Sequence, residues 1–237
     1  MKPLYKRILL KLSGEALAGS RGFGIDPGIT AQIADEIVEV HNAGVQIGIV
    51  IGGGNFLRGA TAEGIPRVPA DTMGMLATVI NSLGLKEYLE KRGCAARVLT
   101  AVNLQGVGEL FSSEKAVSYL NNNHVVIIGG GTGNPYFTTD TAAALRCAEI
   151  GAEVILKATK VDGIYDSDPM KNPGAIRFEQ ISHKEALSRD LKVMDSTAFS
   201  FCMENSIPII IFKLMEKGNL CRCIEGRAAG SIVKTGG

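Results

Sequence analysis

Six short, nearly continuous apolar runs are spread along the chain, and segments with helical spacing separate them. The runs are KRILLKL (6–12), VQIGIVI (45–51), ARVLTAV (96–102), HVVIIG (124–129), AEVILK (152–157) and IPIIIF (207–212). Such runs are typical of strands that are buried on both faces of a parallel sheet. Their alternation with helices predicts one α/β domain over residues 1–237, with a three-layer, doubly wound, mainly parallel central sheet and helices on both faces.

Capping residues mark three of the predicted helices. Asp26, followed by proline, predicts the start of a helix that ends at Gly44. Ser182 begins a sequence with the spacing of a capping box. Asp195 predicts the cap of a helix that runs through Cys202, ahead of the last apolar run.

Charge and cysteine content argue against several classes of protein. The 25 Lys and Arg residues nearly balance 24 Asp and Glu residues, so the basic excess of a dedicated nucleic-acid binder is missing. The first apolar run is interrupted by Lys11, unlike a signal peptide, and no run approaches the roughly 18 residues of a membrane span. Five cysteines without a CxxC pair predict reduced thiols in a cytoplasmic protein and no zinc site.

Glycine-rich turns follow three of the predicted strands: KLSGE (11–15), GGGN (52–55) and GGGTGN (129–134). Ligands of open parallel sheets bind beyond the carboxyl ends of the strands, and glycine turns let a phosphate approach backbone N–H groups. One such turn is explained by tight chain reversal alone, whereas three together favour an anion site. A helix beginning near Asp140, after Thr138 and Thr139, adds a positive dipole and free N–H donors.

Well-known phosphate and hydrolase motifs are absent from the sequence. It contains no GxxxxGK[ST], GxGxxG, HExxH or GxSxG, which argues against a P-loop protein, a dinucleotide-binding domain, a zinc protease and a serine hydrolase. The three histidines (His41, His124 and His183) are scattered. We expect them to be ordinary residues at the surface or at strand edges.

Three cations accompany the glycine turns. Lys11 and Lys157 end two predicted strands, and Arg58 follows the first GGG. A lysine at the inner end of a buried strand is costly unless an anion meets it, although its amine can also reach solvent. Two such lysines and an arginine, which can donate two parallel hydrogen bonds, predict a polyphosphate clamp.

The segment KATKVDGIYDSDP (157–169) combines a turn, an aromatic ring and acidic residues. Tyr165 offers a flat face for stacking, and Asp166 and Asp168 could hold ribose hydroxyls or the hydration shell of magnesium. A solvated acidic loop explains the same residues equally well.

Six segments together resemble the bacterial uridylate kinases of the amino-acid kinase superfamily: KRILLKLSGEAL, IGGGNFLRG, DTMGMLAT, TGNPYFTTD, KATKVDGIYDSDP and LKVMD. They cover essentially the whole chain in the expected order. KLSG and KVDG are shared across the superfamily, whereas TGNPYFTTD and DTMGM are more specific to the uridylate kinase branch. No motif position departs from the family pattern.

This resemblance implies an amino-acid kinase fold and the reaction of ATP with UMP to give ADP and UDP, with magnesium entering alongside ATP and no protein-bound metal. The implied catalytic residues are Lys11, Lys157, Arg58 and Asp140, with Asp140 orienting the lysines or a magnesium-bound water. The implied ATP-binding residues are Lys11, Leu12, Ser13, Gly14, Gly54, Arg58, Thr159, Tyr165 and Asp168. The implied UMP-binding residues are Gly53, Asp71, Thr132, Gly133, Asn134, Pro135, Tyr136, Phe137, Thr138 and Thr139.

Regulation and assembly also follow from the resemblance. It implies a homohexamer with GTP as activator and UTP as feedback inhibitor, and neither nucleic acid nor membrane as partner. The segment implied in the GTP response is Gly19, Ser20, Arg21, Gly22, Phe23 and Gly24. We place that response at a subunit interface outside the active site, with Arg21 as a phosphate-binding candidate.

Two other functions remain open at this point. A sibling kinase could use a carboxylate or carbamate as acceptor, although TGNPYFTTD and DTMGM argue against it. A non-catalytic nucleotide sensor could share the fold, but it could lose Lys11 or Lys157 without penalty, and both are present.

Overall fold

The structure is a computed structural model that describes residues 2–57, 63–167, 169, 171–172, 174–227 and 229–235. Two predicted site residues, Arg58 and Asp168, lie outside the described residues.

The strands and helices follow one another along the chain much as the apolar runs predict. The strands are β1 (Arg7–Leu12), β2 (Gln46–Ile51), β3 (Ala96–Thr100), β4 (Glu109–Leu110), β5 (Val125–Gly129), β6 (Ile155–Thr159), β7 (Ile164–Tyr165), β8 (Arg177–Phe178), β9 (Gln180–Ser182), β10 (Ile209–Lys213) and β11 (Gly230–Lys234). The helices are α1 (Gly14–Ala18), α2 (Pro27–Asn42), α3 (Arg67–Glu90), α4 (Ser113–Asn121), α5 (Thr139–Glu149), α6 (His183–Ser188), α7 (Ser196–Glu204) and α8 (Asn219–Ile224).

In the described part of the chain, nine strands form one sheet in the order β4-β3-β5-β2-β1-β6-β10-β11-β9. Neighbouring strands run parallel except for the antiparallel pair of β10 and β11. Short strands β7 and β8 pair separately as an antiparallel ribbon. The predicted mainly parallel sheet is confirmed.

Helices cover both faces of this sheet, which gives the predicted three layers. Strand β1 shows how the sequence builds them, because successive side chains of a strand point to opposite faces. Ile8 and Leu10 are fully buried in the core shared with α2, α3 and α8. Leu9 is fully buried in the opposite core, shared with α4, α5, α6 and α7. By the same alternation, Lys11 lies on the α5 side of the sheet.

The predicted helix starts at Asp26, Ser182 and Asp195 are confirmed. Each side chain accepts a hydrogen bond from the backbone N–H three residues ahead, at 3.0–3.1 Å. This satisfies one of the N–H groups that a helix leaves unpaired in its first turn. The third of these helices runs two residues past its predicted end, to Glu204.

The predicted bounds of the fifth strand are wrong, and the error matters for the site. Strand β6 begins at Ile155 because the chain is still leaving α5 at Ala152, whose N–H donates to Cys147 O at 2.9 Å. Lys157 therefore lies in the middle of β6 and not at its end.

The expectation that the histidines are surface or strand-edge residues is wrong for two of the three. His41, in α2, and His183, the first residue of α6, are only 6% and 1% exposed. Burial lowers the pKa of both imidazoles, since it disfavours the charged form. All five cysteines are buried free thiols, as predicted. Among the described residues, no helix has the length and apolar character needed to cross a membrane.

Candidate active site

A cleft of about 430 Å³ opens at the carboxyl edge of the sheet, where β1, β2 and β5 end. Many of the residues predicted for catalysis or for binding ATP and UMP line it, although they come from four separate segments. Those residues are Lys11, Ser13, Gly14, Gly53, Gly54, Asp71, Thr132, Asn134, Phe137, Thr138, Thr139 and Asp140. The structure therefore brings the three glycine turns together in one site.

The first two glycine turns are in direct contact. A Cβ atom on Gly14 would lie 2.4 Å from Asn55 Oδ1 and 2.5 Å from Gly52 O, so no other residue fits there without displacing the GGGN turn. The Gly52 N–H also donates to Leu12 O at 2.9 Å. The Leu12 side chain is fully buried in the core, which leaves its backbone as the part that could face a nucleotide.

Two lysines share one carboxylate at the floor of the cleft. Lys11 Nζ lies 2.8 Å from Asp140 Oδ1, and Lys157 Nζ lies 2.7 Å from Asp140 Oδ2. Lys157 Nζ also donates to Val193 O at 2.7 Å. Lys11 lines the cleft, whereas Lys157 is not among the described lining residues and supports the cluster from behind.

The pKa values of Asp140 and Lys157 reflect both burial and the charges of their neighbours in this cluster. Burial alone would raise the pKa of Asp140, but Lys11 and Lys157 outweigh that effect and hold the pKa below its usual value. Burial lowers the pKa of Lys157 below that of an ordinary lysine, with Asp140 opposing the shift. Asp140 is therefore an ionised hydrogen-bond acceptor near neutral pH.

The loop from Thr132 to Thr139 leads into α5, whose N-terminus was predicted to offer free N–H donors to an anion. That prediction is wrong for two of the donors. Thr138 caps the helix, and its Oγ1 accepts from the N–H groups of Asp140 and Thr141 at 3.0 and 3.3 Å. Thr138 in turn donates to Asp195, a residue of the α7 cap that also accepts from Thr141.

A strained residue lies in the same loop. Tyr136 has a φ of +72°, a left-handed conformation that is uncommon for a non-glycine residue. Its N–H donates to Asp71 Oδ2 at 2.8 Å, and Arg67 both pairs with that oxygen at 2.7 Å and lies 5.2 Å from the ring centre. Asp71, predicted to bind UMP, therefore also anchors this loop. Gly133, Pro135 and Tyr136 belong to the loop without being among the described lining residues.

Thr159 and Tyr165, predicted to bind ATP, are not among the described lining residues of the cleft. Thr159 is the last residue of β6, and its hydroxyl donates to Val161 O at 2.6 Å. The Tyr165 hydroxyl donates to Asp162 at 2.7 Å. An ion pair of 3.1 Å between Lys160 and Glu15, a lining residue, connects this region to the cleft.

The predicted binding and catalytic sets omit several residues of the cleft. They are Glu15, Gly52, Leu57, Arg67, Gly74, Met75, Thr78, Gly131 and Asp195. Six of them lie in the predicted glycine turns or in the DTMGMLAT segment, which gave them no individual role. The segment 19–24 is not among the described lining residues either, but it contacts the GGGN turn from outside. Gly24 N donates to Asn55 O at 3.0 Å, and the Phe23 ring meets the Phe56 ring edge-on at 5.5 Å.

The model of the amino acid kinase family matches residues 6–213 of this sequence. This chain belongs to the amino acid kinase family. The family and fold predicted from the motifs are thereby confirmed.

Solved structures of family members agree over the full length. The chain is similar to UMP kinase from Bacillus anthracis, with 36% identity, a TM-score of 0.95, and coverage of 100% of this chain and 98% of that one. UMP kinase from Ureaplasma parvum gives 36% identity, a TM-score of 0.92, and coverage of 99% and 100%. Uridylate kinase from Archaeoglobus fulgidus gives 25% identity, a TM-score of 0.73, and coverage of 95% and 99%.

Proposed function

We propose that this chain is a nucleoside monophosphate kinase that transfers the terminal phosphoryl group of ATP to UMP, giving ADP and UDP for pyrimidine nucleotide synthesis. One observation carries the proposal: two lysines paired with one aspartate lie under a cleft between glycine turns, in a chain similar over its full length to two solved bacterial UMP kinases. When all three side chains are ionised, the cluster has one surplus positive charge, which suits a polyphosphate.

The reaction needs positioning and charge neutralisation more than covalent catalysis. An oxygen of the UMP phosphate forms a bond to the γ phosphorus, the bond from that phosphorus to the β–γ bridging oxygen breaks, and ADP leaves. Lys11, the lysine of the cluster that lines the cleft, neutralises negative charge that spreads over the phosphates. Arg58, which follows the GGGN turn in sequence, is a second cation for the same charge.

No general base is required in this mechanism. A phosphate monoester loses its second proton near pH ~6, so the acceptor is already an oxyanion at neutral pH. Asp140 is engaged by two ammonium groups and held ionised by them, which makes it a positioning residue for Lys11 and Lys157.

Magnesium enters as part of the substrate, bound to ATP. The described carboxylates of the cleft already have protein partners: Asp140 pairs with the lysines, Asp71 with Arg67, and Asp195 with two threonines. Mg²⁺ commonly keeps several water ligands and is held through substrate phosphates. These residues fit a site that receives magnesium with ATP better than an all-protein metal cage.

Assembly and location belong to the same proposal. Three exposed apolar side chains, Met73, Leu76 and Ile80, are 42–49% exposed and share one face of α3. An apolar stripe of this kind supports association of the chain with itself, and we propose the hexamer implied by the resemblance. Buried free thiols are consistent with the proposed cytoplasmic location. Light scattering of the purified protein measures the mass of the assembly, and we expect Leu76→Glu to lower that mass.

We also propose that GTP activates the enzyme through residues 19–24 and that UTP inhibits it. Two reciprocal hydrogen bonds between Gly24 and Asn55 give this segment a connection to the GGGN turn. Arg21 is exposed and available to a phosphate. If Arg21→Ala responds to GTP as the unmodified enzyme does, Arg21 has no part in the response. If GTP leaves the UMP affinity of the unmodified enzyme unchanged, the allosteric proposal fails.

Release of ADP, measured with UMP, CMP, glutamate and aspartate as separate acceptors, tests the function. We expect ADP and UDP in equal amounts with UMP, and strong loss of both in Lys11→Ala. Turnover of glutamate or aspartate without UMP would identify a sibling kinase. Nucleotide binding without turnover of any acceptor would identify a sensor.

A further inference from the structure

Helix α3 contacts both GGG turns of the cleft through one face. A Cβ on Gly53 would lie 2.5 Å from Gly74 O and 2.9 Å from Ala77 Cβ. A Cβ on Gly129 would lie 3.1 Å from side-chain atoms of Val79 and Ser82. The helix therefore leaves no room for a larger residue at Gly53, and a larger residue at Gly129 would have to displace the Val79 and Ser82 side chains.

Hydrogen bonds join the helix to each turn separately. Thr78 Oγ1 accepts from Gly130 N at 2.7 Å and donates to Met75 O at 2.6 Å. Asn81 Nδ2 donates to Gly52 O at 2.7 Å. Thr78 and Asn81 lie one helical turn apart, so one rigid element holds the start of both glycine turns.

A buried pair of amides reinforces the GGGN turn. Asn55 and Asn81 are 1% and 0% exposed, and their carboxamides donate to each other at 2.9 and 2.7 Å. Asn55 Nδ2 also donates to Gly24 O at 2.7 Å. A carboxamide can make this set of bonds because it carries both a donor and an acceptor, and an apolar residue would leave the buried partners unpaired.

We propose that Thr78 and Asn81 are positioning residues that fix the distance between the donor side and the acceptor side of the cleft. The donor side is where the GGGN turn meets Gly14. The acceptor side is where Gly130 begins the loop to Thr139. The inference rests on the proposed function and adds two residues outside the predicted ATP-binding, UMP-binding and catalytic sets, although Thr78 ends the DTMGMLAT segment. In-line phosphoryl transfer is sensitive to this spacing, because displacing a reacting group by about 1 Å can reduce the rate about 100-fold.

The test compares Thr78→Val, Thr78→Ser and Ser82→Ala. Valine keeps the shape of threonine but leaves the Gly130 N–H unpaired, whereas serine keeps the hydroxyl. Ser82 is a matched control, since its buried hydroxyl also lies beside Gly129 but its described hydrogen bond is donated to Thr78 O within the helix. We expect Thr78→Val to lower kcat/KM for UMP about 10- to 100-fold with little change in KM for ATP. Thr78→Ser is expected to restore most of that loss, and Ser82→Ala to resemble the unmodified enzyme.

Asn81→Leu tests the other glycine turn, on the donor side of the cleft. We expect it to raise KM for ATP and lower kcat, because it releases Gly52 and the turn that packs on Gly14. Equal losses in Thr78→Val and Ser82→Ala at equal melting temperatures, or full activity in Thr78→Val, would overturn the proposal.

A measurement without substrate separates this proposal from the proposed function. Hydrogen exchange of the peptide covering residues 125–134 should become faster in Thr78→Val but not in Thr78→Ser or Ser82→Ala. If the unmodified chain phosphorylates no acceptor, the proposed function fails, while this exchange still reports whether Thr78 holds the acceptor turn. Unchanged exchange in Thr78→Val would show that it does not.

Discussion

Lys11 on β1 lies in direct register with Lys157 on β6, so the two side chains stand next to each other on the α5 face of the sheet. Two neighbouring ammonium groups repel each other, and burial increases the cost. Asp140, in the first turn of α5, offsets that cost by placing one carboxylate oxygen against each lysine. Sheet register therefore places the cations, and the helix start supplies the anion that keeps them charged.

Asp140→Asn should destabilise the protein as well as inactivate it. The amide keeps the shape of the side chain but leaves two largely buried lysines without their counter-charge, which costs up to about 3–5 kcal/mol, the value for a broken fully buried pair. Urea unfolding at neutral pH measures the free energy of unfolding. Asp35→Asn is the control, because its ion pair with Arg92 lies at the surface, where such pairs contribute about 0–1 kcal/mol. Equal stability of the two variants would show that the Asp140 carboxylate does not stabilise the fold through the two lysines.

UMP should be strongly preferred over CMP as acceptor. A site that hydrogen-bonds one base edge leaves buried groups unpaired with the other base. The Thr138 hydroxyl is already engaged with Asp195 and the helix cap, so Thr139 and backbone groups of the loop are left to read the base. The ratio of kcat/KM for the two nucleotides measures the preference. Equal values would show that the loop does not read the base.

Strand and helix patterns predict most of the fold because each reflects local burial. The antiparallel strand β11, which inserts between β10 and β9, was not predicted. Its sequence, GSIVK, is short, and its place is set by pairing with strands distant in the chain. The position of Lys157 was missed for a related reason, since the start of β6 depends on where the chain leaves α5.

Some residues of the candidate site could likewise be predicted from sequence, and others could not. Lys11, Lys157 and Asp140 could be predicted because cations and a carboxylate near glycine turns are visible in sequence. Thr78 and Asn81 were missed because their partners, Gly130 and Gly52, are brought to them by the fold. Two signals were present: Thr78 ends the DTMGMLAT segment, and both residues have the spacing that places them on the buried face of a helix.

The protein should lose stability as pH falls below about 6.5, and His183 should account for part of the loss. The folded state holds this imidazole neutral, with its pKa lowered by burial, whereas an unfolded histidine titrates near ~6.5. The unfolded state therefore binds the proton first, and stability declines from pH ~6.5 down towards the lower folded pKa.

Urea unfolding at a series of pH values checks this expectation. His183→Gln should flatten the acid side of the stability curve, even if it lowers stability at pH 7. His124→Gln, at a half-buried ring near the surface, is the comparison. An unchanged acid slope in His183→Gln would assign the loss to other groups.

The pH dependence of catalysis should be set by the acceptor phosphate on the acid side and by lysine on the alkaline side. We expect kcat/KM for UMP to rise through the second ionisation of its phosphate and then to form a plateau. Lys157 is charged below its pKa, which burial lowers, so activity should fall at a pH below the pKa of an ordinary lysine.

Replacing UMP with its phosphorothioate analogue, whose second pKa is lower, should move the acid limb of this pH profile by the same amount. If the limb stays in place, a group of the enzyme controls it and the mechanism without a general base is wrong. Lys11→Ala should lower the plateau about 10²- to 10³-fold, by analogy with the loss of one oxyanion donor, without moving the acid limb.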